Sequence, residues 1–172
     1  KIMKSKENIV FLGMMGSGKS TLGSLISKKL NLQFYDTDNE IEKKIGMKIS
    51  KIFKEKGEFF FKKIEEKISL EILRKNNVVI ALGGGAFLNK KIMEEILKNH
   101  LSFWLKWNDK ILIKRIKKSP KRPLAYNLDS NELLNLIKKR SKIYSKAKFR
   151  INCNDLTKNQ IIDRVMEIYE KN

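Results

Sequence analysis

Residues 13–20 read Gly-Met-Met-Gly-Ser-Gly-Lys-Ser and follow the apolar run Ile9-Val10-Phe11-Leu12. The spacing G-x-x-x-x-G-K-[ST], with a β-branched strand before it and an amphipathic helix after it, leaves few folds open. The glycines let the backbone curl so that successive N–H groups converge on phosphate oxygens at a helix N-terminus. Lys19 adds a positive charge toward the β and γ phosphates, and the Ser20 hydroxyl suits Mg²⁺. An accidental match in a chain of this composition is expected on the order of one per cent of the time. The strand and helix context lowers that further, so a nucleoside triphosphate is the expected ligand.

Strand-like and helix-like segments alternate along the rest of the chain. Strands are predicted at 9–12, 33–35, 78–82, 102–105 and 149–153, and helices at 19–30, 40–45, 50–56, 59–75, 90–98, 110–117, 132–145 and 157–171. The helix at 59–75 carries Phe61, Ile64, Ile68 and Ile72 at helical spacing, and Asp109 is a candidate cap for the helix that follows it. Thr157 with Gln160 makes a capping box for the last helix. Five short strands separated by helices predict an α/β fold, three layers with helices on both faces of a parallel sheet. With 172 residues and 41% hydrophobic content the chain is read as one domain with a real core.

The net charge of +19 suggests nucleic acid, an anionic membrane or polyanionic substrates as partners. The lysines, however, are spread over helix-like segments (28–29, 43–44, 62–63, 138–139) rather than gathered in one tract with aromatics. A solvated lysine-rich surface is the favoured reading, with no nucleic acid and no membrane as partner. No run of about 18 apolar residues occurs, no signal-peptide pattern opens the sequence, and Met3 is a candidate start residue. Cys153 is the only cysteine, which excludes an internal disulfide and a Cys-based zinc site, and a buried thiol is expected. His100 is read as a turn residue. A reduced, cytoplasmic protein is expected.

Three further patterns carry chemistry. Asp36-Thr37-Asp38 follows the second strand, at the carboxyl edge where ligands bind in open α/β sheets. One carboxylate there can hold Mg²⁺ through water and the other can orient an attacking hydroxyl; either can instead cap the next helix. Gly83-Gly84-Gly85 ends the third strand, where three glycines favour close backbone approach to a small ligand over a plain turn. Residues 118–128 hold both prolines and Arg122, a basic candidate lid or an ordinary surface loop. Arg140 precedes Tyr144 by one helical turn, and its fork suits a carboxylate.

Taken in order, GMMGSGKST (13–21), DTD (36–38), GEFFFKKIEE (57–66), LGGGA (82–86), KRPL (121–124) and R-x-x-x-Y (140–144) resemble shikimate kinase along essentially the whole chain. The resemblance implies the P-loop nucleoside monophosphate kinase-like fold with sheet order 2-3-1-4-5. It implies transfer of the ATP γ-phosphate to the 3-hydroxyl of shikimate, with Mg²⁺, by a monomer. It implies a substrate-binding helical region at about 39–75 and a lid at about 116–128. Gly16, Ser17, Gly18, Lys19, Ser20 and Thr21 would hold the nucleotide phosphates, with Ser20 on the metal and Asp36 behind it. Arg115 would stack on adenine and Arg122 would reach the phosphates. Asp38 would hydrogen-bond shikimate and orient or deprotonate its hydroxyl. Gly83, Gly84 and Gly85 would line the pocket, Phe53 and Phe61 would wall the ring, Arg140 would bind the carboxylate, and Glu65 would orient basic neighbours.

Two departures from the family pattern stand out. Lys62 occupies the position of an arginine that grips the carboxylate, keeping the charge but losing the planar fork. Asn154-Asp155-Leu156 offers no basic residue to the adenine, which leaves ATP-over-GTP selectivity open. The alternatives are another small-metabolite kinase such as a gluconate kinase, a nucleotide-binding module without catalysis, and a basic nucleic-acid-associated NTPase. The first should lack the D-T-D, G-G-G and R-P-L set together. Lys62 favours the second, and the charge alone suggests the third.

Overall fold

A computed structural model describes residues 7–119, 125 and 127–172. In chain order the elements are β1 (Ile9–Leu12), α1 (Lys19–Leu30), β2 (Gln33–Asp36), α2 (Thr37–Ile45), α3 (Ile49–Leu73), β3 (Val78–Ala81), a 3₁₀ turn (Ala86–Leu88), α4 (Lys90–Asn99), β4 (Leu101–Lys106), α5 (Asp109–Lys118), α6 (Ser130–Tyr144), β5 (Phe149–Asn152) and α7 (Lys158–Lys171). The strands form one sheet in the order β2-β3-β1-β4-β5, every pair parallel.

Period-two alternation along the strands divides the interior between the two faces. Val10, Leu12, Ile80 and Trp104 pack with Ile52, Ile68, Ile92 and Ile137 from the helices on one side. Ile9, Phe11, Val79 and Phe103 pack with Leu22, Ile26, Ile161 and Val165 on the other. Both faces of the central strands are covered, which is why β1 and β3 read as unbroken apolar runs rather than alternating ones.

At the sheet edge away from the phosphate loop, buried Asn8 ties three chain segments together. Its amide donates to Lys75 O at 2.8 Å and accepts from Val78 N at 3.0 Å, while Leu101 N donates to its carbonyl at 2.9 Å. Its backbone N–H donates to His100 Nδ1 at 3.3 Å, which leaves the Nε2 proton facing Glu95 at 3.3 Å. His100 is the turn residue between α4 and β4, as read from the sequence; it is buried, and held below its ordinary pKa mainly by that burial.

The helix boundaries differ from the sequence reading where side chains compete for the first turn. Asn108, not Asp109, caps α5, accepting from Lys110 N at 2.9 Å. α6 begins two residues earlier than expected because Asp129 and Glu132 form a capping box. The Thr157–Gln160 box on α7 is present as read. The helices expected at 50–56 and 59–75 run together as α3, yet Gly57 inside it has φ 83° and ψ 167°. That backbone conformation is open to glycine and interrupts the helical hydrogen bonding, so α3 bends between two straight segments. All eight lysines of the paired positions 28–29, 43–44, 62–63 and 138–139 are exposed, distributed over four helices.

Candidate active site

The phosphate loop joins β1 to α1 at the carboxyl edge of the sheet. Gly16 and Gly18 hold left-handed backbone, with φ of 79° and 89°, where any Cβ would be strained. Lys19 opens α1, and its ammonium curls back to donate to the carbonyls of Gly13 at 2.6 Å and Met14 at 3.3 Å. The Ser20 hydroxyl donates to one carboxylate oxygen of Asp36. The other oxygen of Asp36 accepts from Asn39 N at 3.2 Å and caps α2, so the capping and loop-facing readings of this residue hold together. Arg115 of α5 donates from Nη1 to Gly16 O at 3.0 Å. Gly16, Lys19, Ser20, Asp36, Asp38 and Arg115 are among the residues around a cavity of about 710 Å³.

The second end of the site is assembled from the turn after β3 and from α2, α3 and α6. Thr37 Oγ1 accepts from Gly83 N at 2.8 Å, docking this turn on the start of α2. A Cβ at position 83 would sit 2.7 Å from Asp38 Oδ1, so any larger residue there would push the carboxylate out of its place. A Cβ at Gly84 would lie 3.4 Å from Arg140 Nη1 and 3.6 Å from Met15 N, which places this one residue between the phosphate loop and the guanidinium. Buried Tyr144 donates its hydroxyl to Gly84 O and fixes the turn from below.

Arg140 Nε and Nη1 are buried and have no hydrogen-bond partner among the described residues. Buried cationic donors left without an acceptor are costly, and a carboxylate is an anionic acceptor whose charge and hydrogen-bonding capacity suit a guanidinium. Glu65, 4% exposed, stands close enough to Lys62 and Arg140 to feel both charges. Burial nevertheless wins and pushes its carboxyl up to about 7, with the two cations opposing that rise. Cys153 is buried and its thiol is pushed up to about 11 by burial, which removes it as a nucleophile.

A family profile described as shikimate kinase matches residues 15–170. The chain belongs to the shikimate kinase family. The shikimate kinase of Bartonella quintana is 42% identical over 148 residues, covering 86% of this chain and 70% of that protein. The shikimate kinase of Thermodesulfovibrio yellowstonii is 37% identical over 166 residues, covering 96% of each. Among solved structures, shikimate kinase from Acinetobacter baumannii in complex with shikimate superposes with a TM-score of 0.90 at 27% identity, covering 96% of this chain and 93% of that one.

Members of the shikimate kinase family are ATP-dependent kinases, and this chain shares their sheet order and phosphate loop. The structure brings Asp38, Gly83, Gly84, Gly85 and Arg140 together beside the loop. Phe53 and Phe61 lie on either side of the Gly57 bend, their rings 4.5 Å apart, with Phe61 buried. Arg122 and the whole of its K-R-P-L motif (121–124) lie outside the described residues. Thr37 and Tyr144 were not singled out as functional from sequence. Tyr144 had a signal, its place one turn after Arg140, but its job as the anchor of the glycine turn depends on a contact 60 residues away.

Proposed function

We propose that the chain transfers the γ-phosphate of ATP to the 3-hydroxyl of shikimate, giving ADP and shikimate 3-phosphate. The observation that carries this reading is Gly84, with the phosphate loop on one side and Arg140, its buried Nε and Nη1 without a partner among the described residues, on the other. A small acceptor anchored there through a carboxylate has its hydroxyls beside Asp38 and the phosphate loop. The ring side of the acceptor is assigned to the helical region at about 39–75, including Phe53, Phe61 and Lys62.

Phosphoryl transfer asks little covalent chemistry of the protein, so positioning and charge neutralisation carry the rate. The loop N–H groups from Gly16 to Thr21 hold the phosphates, and Lys19 moves from its own carbonyls to the transferring group. Asp38 orients the attacking hydroxyl and accepts its proton as the new P–O bond forms. The bond from the γ-phosphorus to the β–γ bridging oxygen breaks, and ADP leaves with that electron pair. Arg122 is assigned to the phosphates and Arg115 to the adenine.

Mg²⁺ fits the residues present. The donor set beside the loop is a hydroxyl and a carboxylate, hard oxygen ligands already paired, and among the described residues no cluster of three or more His, Cys, Asp or Glu competes for it. Ser20 would hold the ion, with Asp36 behind it. The ion supplies neutralisation of phosphate charge. No helix among the described residues is long and apolar enough to cross a membrane. The reading is completed by a monomer acting in the cytoplasm on two small molecules.

ADP release measured in a coupled assay, with and without shikimate, tests the proposal. Strong stimulation by shikimate and not by gluconate supports it; an ATPase rate indifferent to shikimate overturns it.

A further inference from the structure

We propose that Trp107 is a positioning residue for the nucleotide base, a rigid backing that holds Arg115 and the phosphate loop in the arrangement the base meets. The proposal rests on the assignment of Arg115 to the base and concerns only the nucleotide end.

Trp107 follows β4 directly. Its indole N–H donates to Ser17 O, inside the phosphate loop, at 2.8 Å. The guanidinium of Arg115 lies over the same indole, 4.1 Å from the ring centroid, while donating to Gly16 O. One side chain thus holds a loop carbonyl through its edge and an arginine through its face. The packing is close: a Cβ at Gly16 would come within 3.2 Å of Arg115 Cβ.

Trp107 is itself fixed. It packs against both hydrophobic clusters, at the seam where the two faces of the sheet meet. The residues on either side of it are bonded to the turn after β5: Cys153 N donates to Lys106 O at 2.9 Å, and Asn108 N donates to Asn154 Oδ1 at 2.8 Å. Arg115, by contrast, is exposed on α5 and does not line the interior. A long exposed arginine ordinarily loses rotamer freedom when a base stacks on it. The indole removes much of that loss in advance, because the guanidinium already lies over it while Arg115 lines the cavity. The ring of a purine nucleotide would complete a three-layer stack of indole, guanidinium and base.

The role predicts a signature that a general packing role does not. Trp107→Ala is expected to raise KM for ATP about tenfold, with KM for shikimate and kcat within twofold. Trp107→Phe keeps a ring under the guanidinium but has no N–H for Ser17, and is expected to lose about threefold. In an Arg115→Ala background, Trp107→Ala should cost no more than about threefold, because its stacking partner has gone. ADP binding followed by tryptophan emission provides a second readout without acceptor: the parent signal should fall to the residual of Trp104 in Trp107→Phe. That titration stays informative if the acceptor assignment fails, and if Trp107→Ala does not fold. An unchanged ADP affinity in Trp107→Phe together with an undiminished emission change overturns the proposal. So do equal rises in both KM values, or equal losses from Trp107→Ala with and without Arg115.

Discussion

The nucleotide end and the acceptor end of this site are built on different physical plans. The phosphate cradle of the nucleotide end is made from one short segment, residues 13–21, whose donors are backbone N–H groups at a helix N-terminus. Two of its polar side chains already have partners, Lys19 on Gly13 O and Ser20 on Asp36, while the buried Ser17 hydroxyl has none among the described residues. The acceptor end is made from side chains on α2, α3 and α6 gathered around a glycine turn. It buries charge incompletely matched within the protein: a carboxyl pushed up to about 7 and two guanidinium nitrogens with no partner among the described residues. A preformed cradle fits any nucleoside triphosphate, whereas buried, poorly matched charge favours a ligand that supplies what is missing.

The largest expected effect falls on the nucleotide end. Lys19→Ala should lower kcat about a thousandfold, by loss of a cation aimed at the transferring group, while calorimetric binding of shikimate alone stays within twofold. A matching loss of shikimate affinity would show that the two ends are not separable. At the acceptor end, Arg140→Met should raise KM for shikimate about a hundredfold with KM for ATP little changed. Because the guanidinium is unsatisfied in the free protein, the variant's melting temperature should hold or rise; a marked fall would make Arg140 a structural residue instead.

Glu65 tests the same contrast through pH. Its folded carboxyl keeps a proton up to about 7, while the unfolded one releases it near the ordinary value of 4.5. The native state therefore binds more protons across that window, and stability is lost as pH rises through it. Glu65→Gln removes this dependence, so the variant's stability relative to the parent, from urea midpoints, should improve by about 2–3 kcal/mol between pH 5 and pH 8. A constant offset at the two pH values would place Glu65 among well-solvated carboxylates. The smallest effect is Lys62→Arg, which restores a planar fork beside Glu65 and should lower KM for shikimate about two- to fivefold. An unchanged or higher KM would remove Lys62 from the acceptor site.

The contrast also explains what could be read from the chain. Gly13 to Ser20 declared itself because its function is executed by consecutive residues, between a strand and a helix that periodicity reveals. The Asp36 cap, the Thr157–Gln160 box and the five strands are local in the same sense. The break at Gly57 was legible as a gap between two helical patterns, although its φ of 83° was not. The Asp129 cap was missed despite its D-x-x-E signature, because the apolar period of α6 begins only at Leu133. Asp38, Gly83 and Arg140 could be nominated from residue type and from resemblance, but their juxtaposition spans more than 100 residues of chain.

Backbone chemistry written in neighbouring residues was settled by the amino-acid order alone: the phosphate loop, the alternation of strands and helices, and the parallel layered architecture they demand. These follow from steric and hydrogen-bonding rules that act over a few residues. Tertiary packing decided the rest. It set Glu65 against two cations and took it out of water, left two guanidinium nitrogens of Arg140 without a partner among the described residues beside Gly84, and slid Trp107 beneath Arg115. Burial and long-range proximity are properties of the assembled interior, and electrostatics in a low-dielectric interior depends on both.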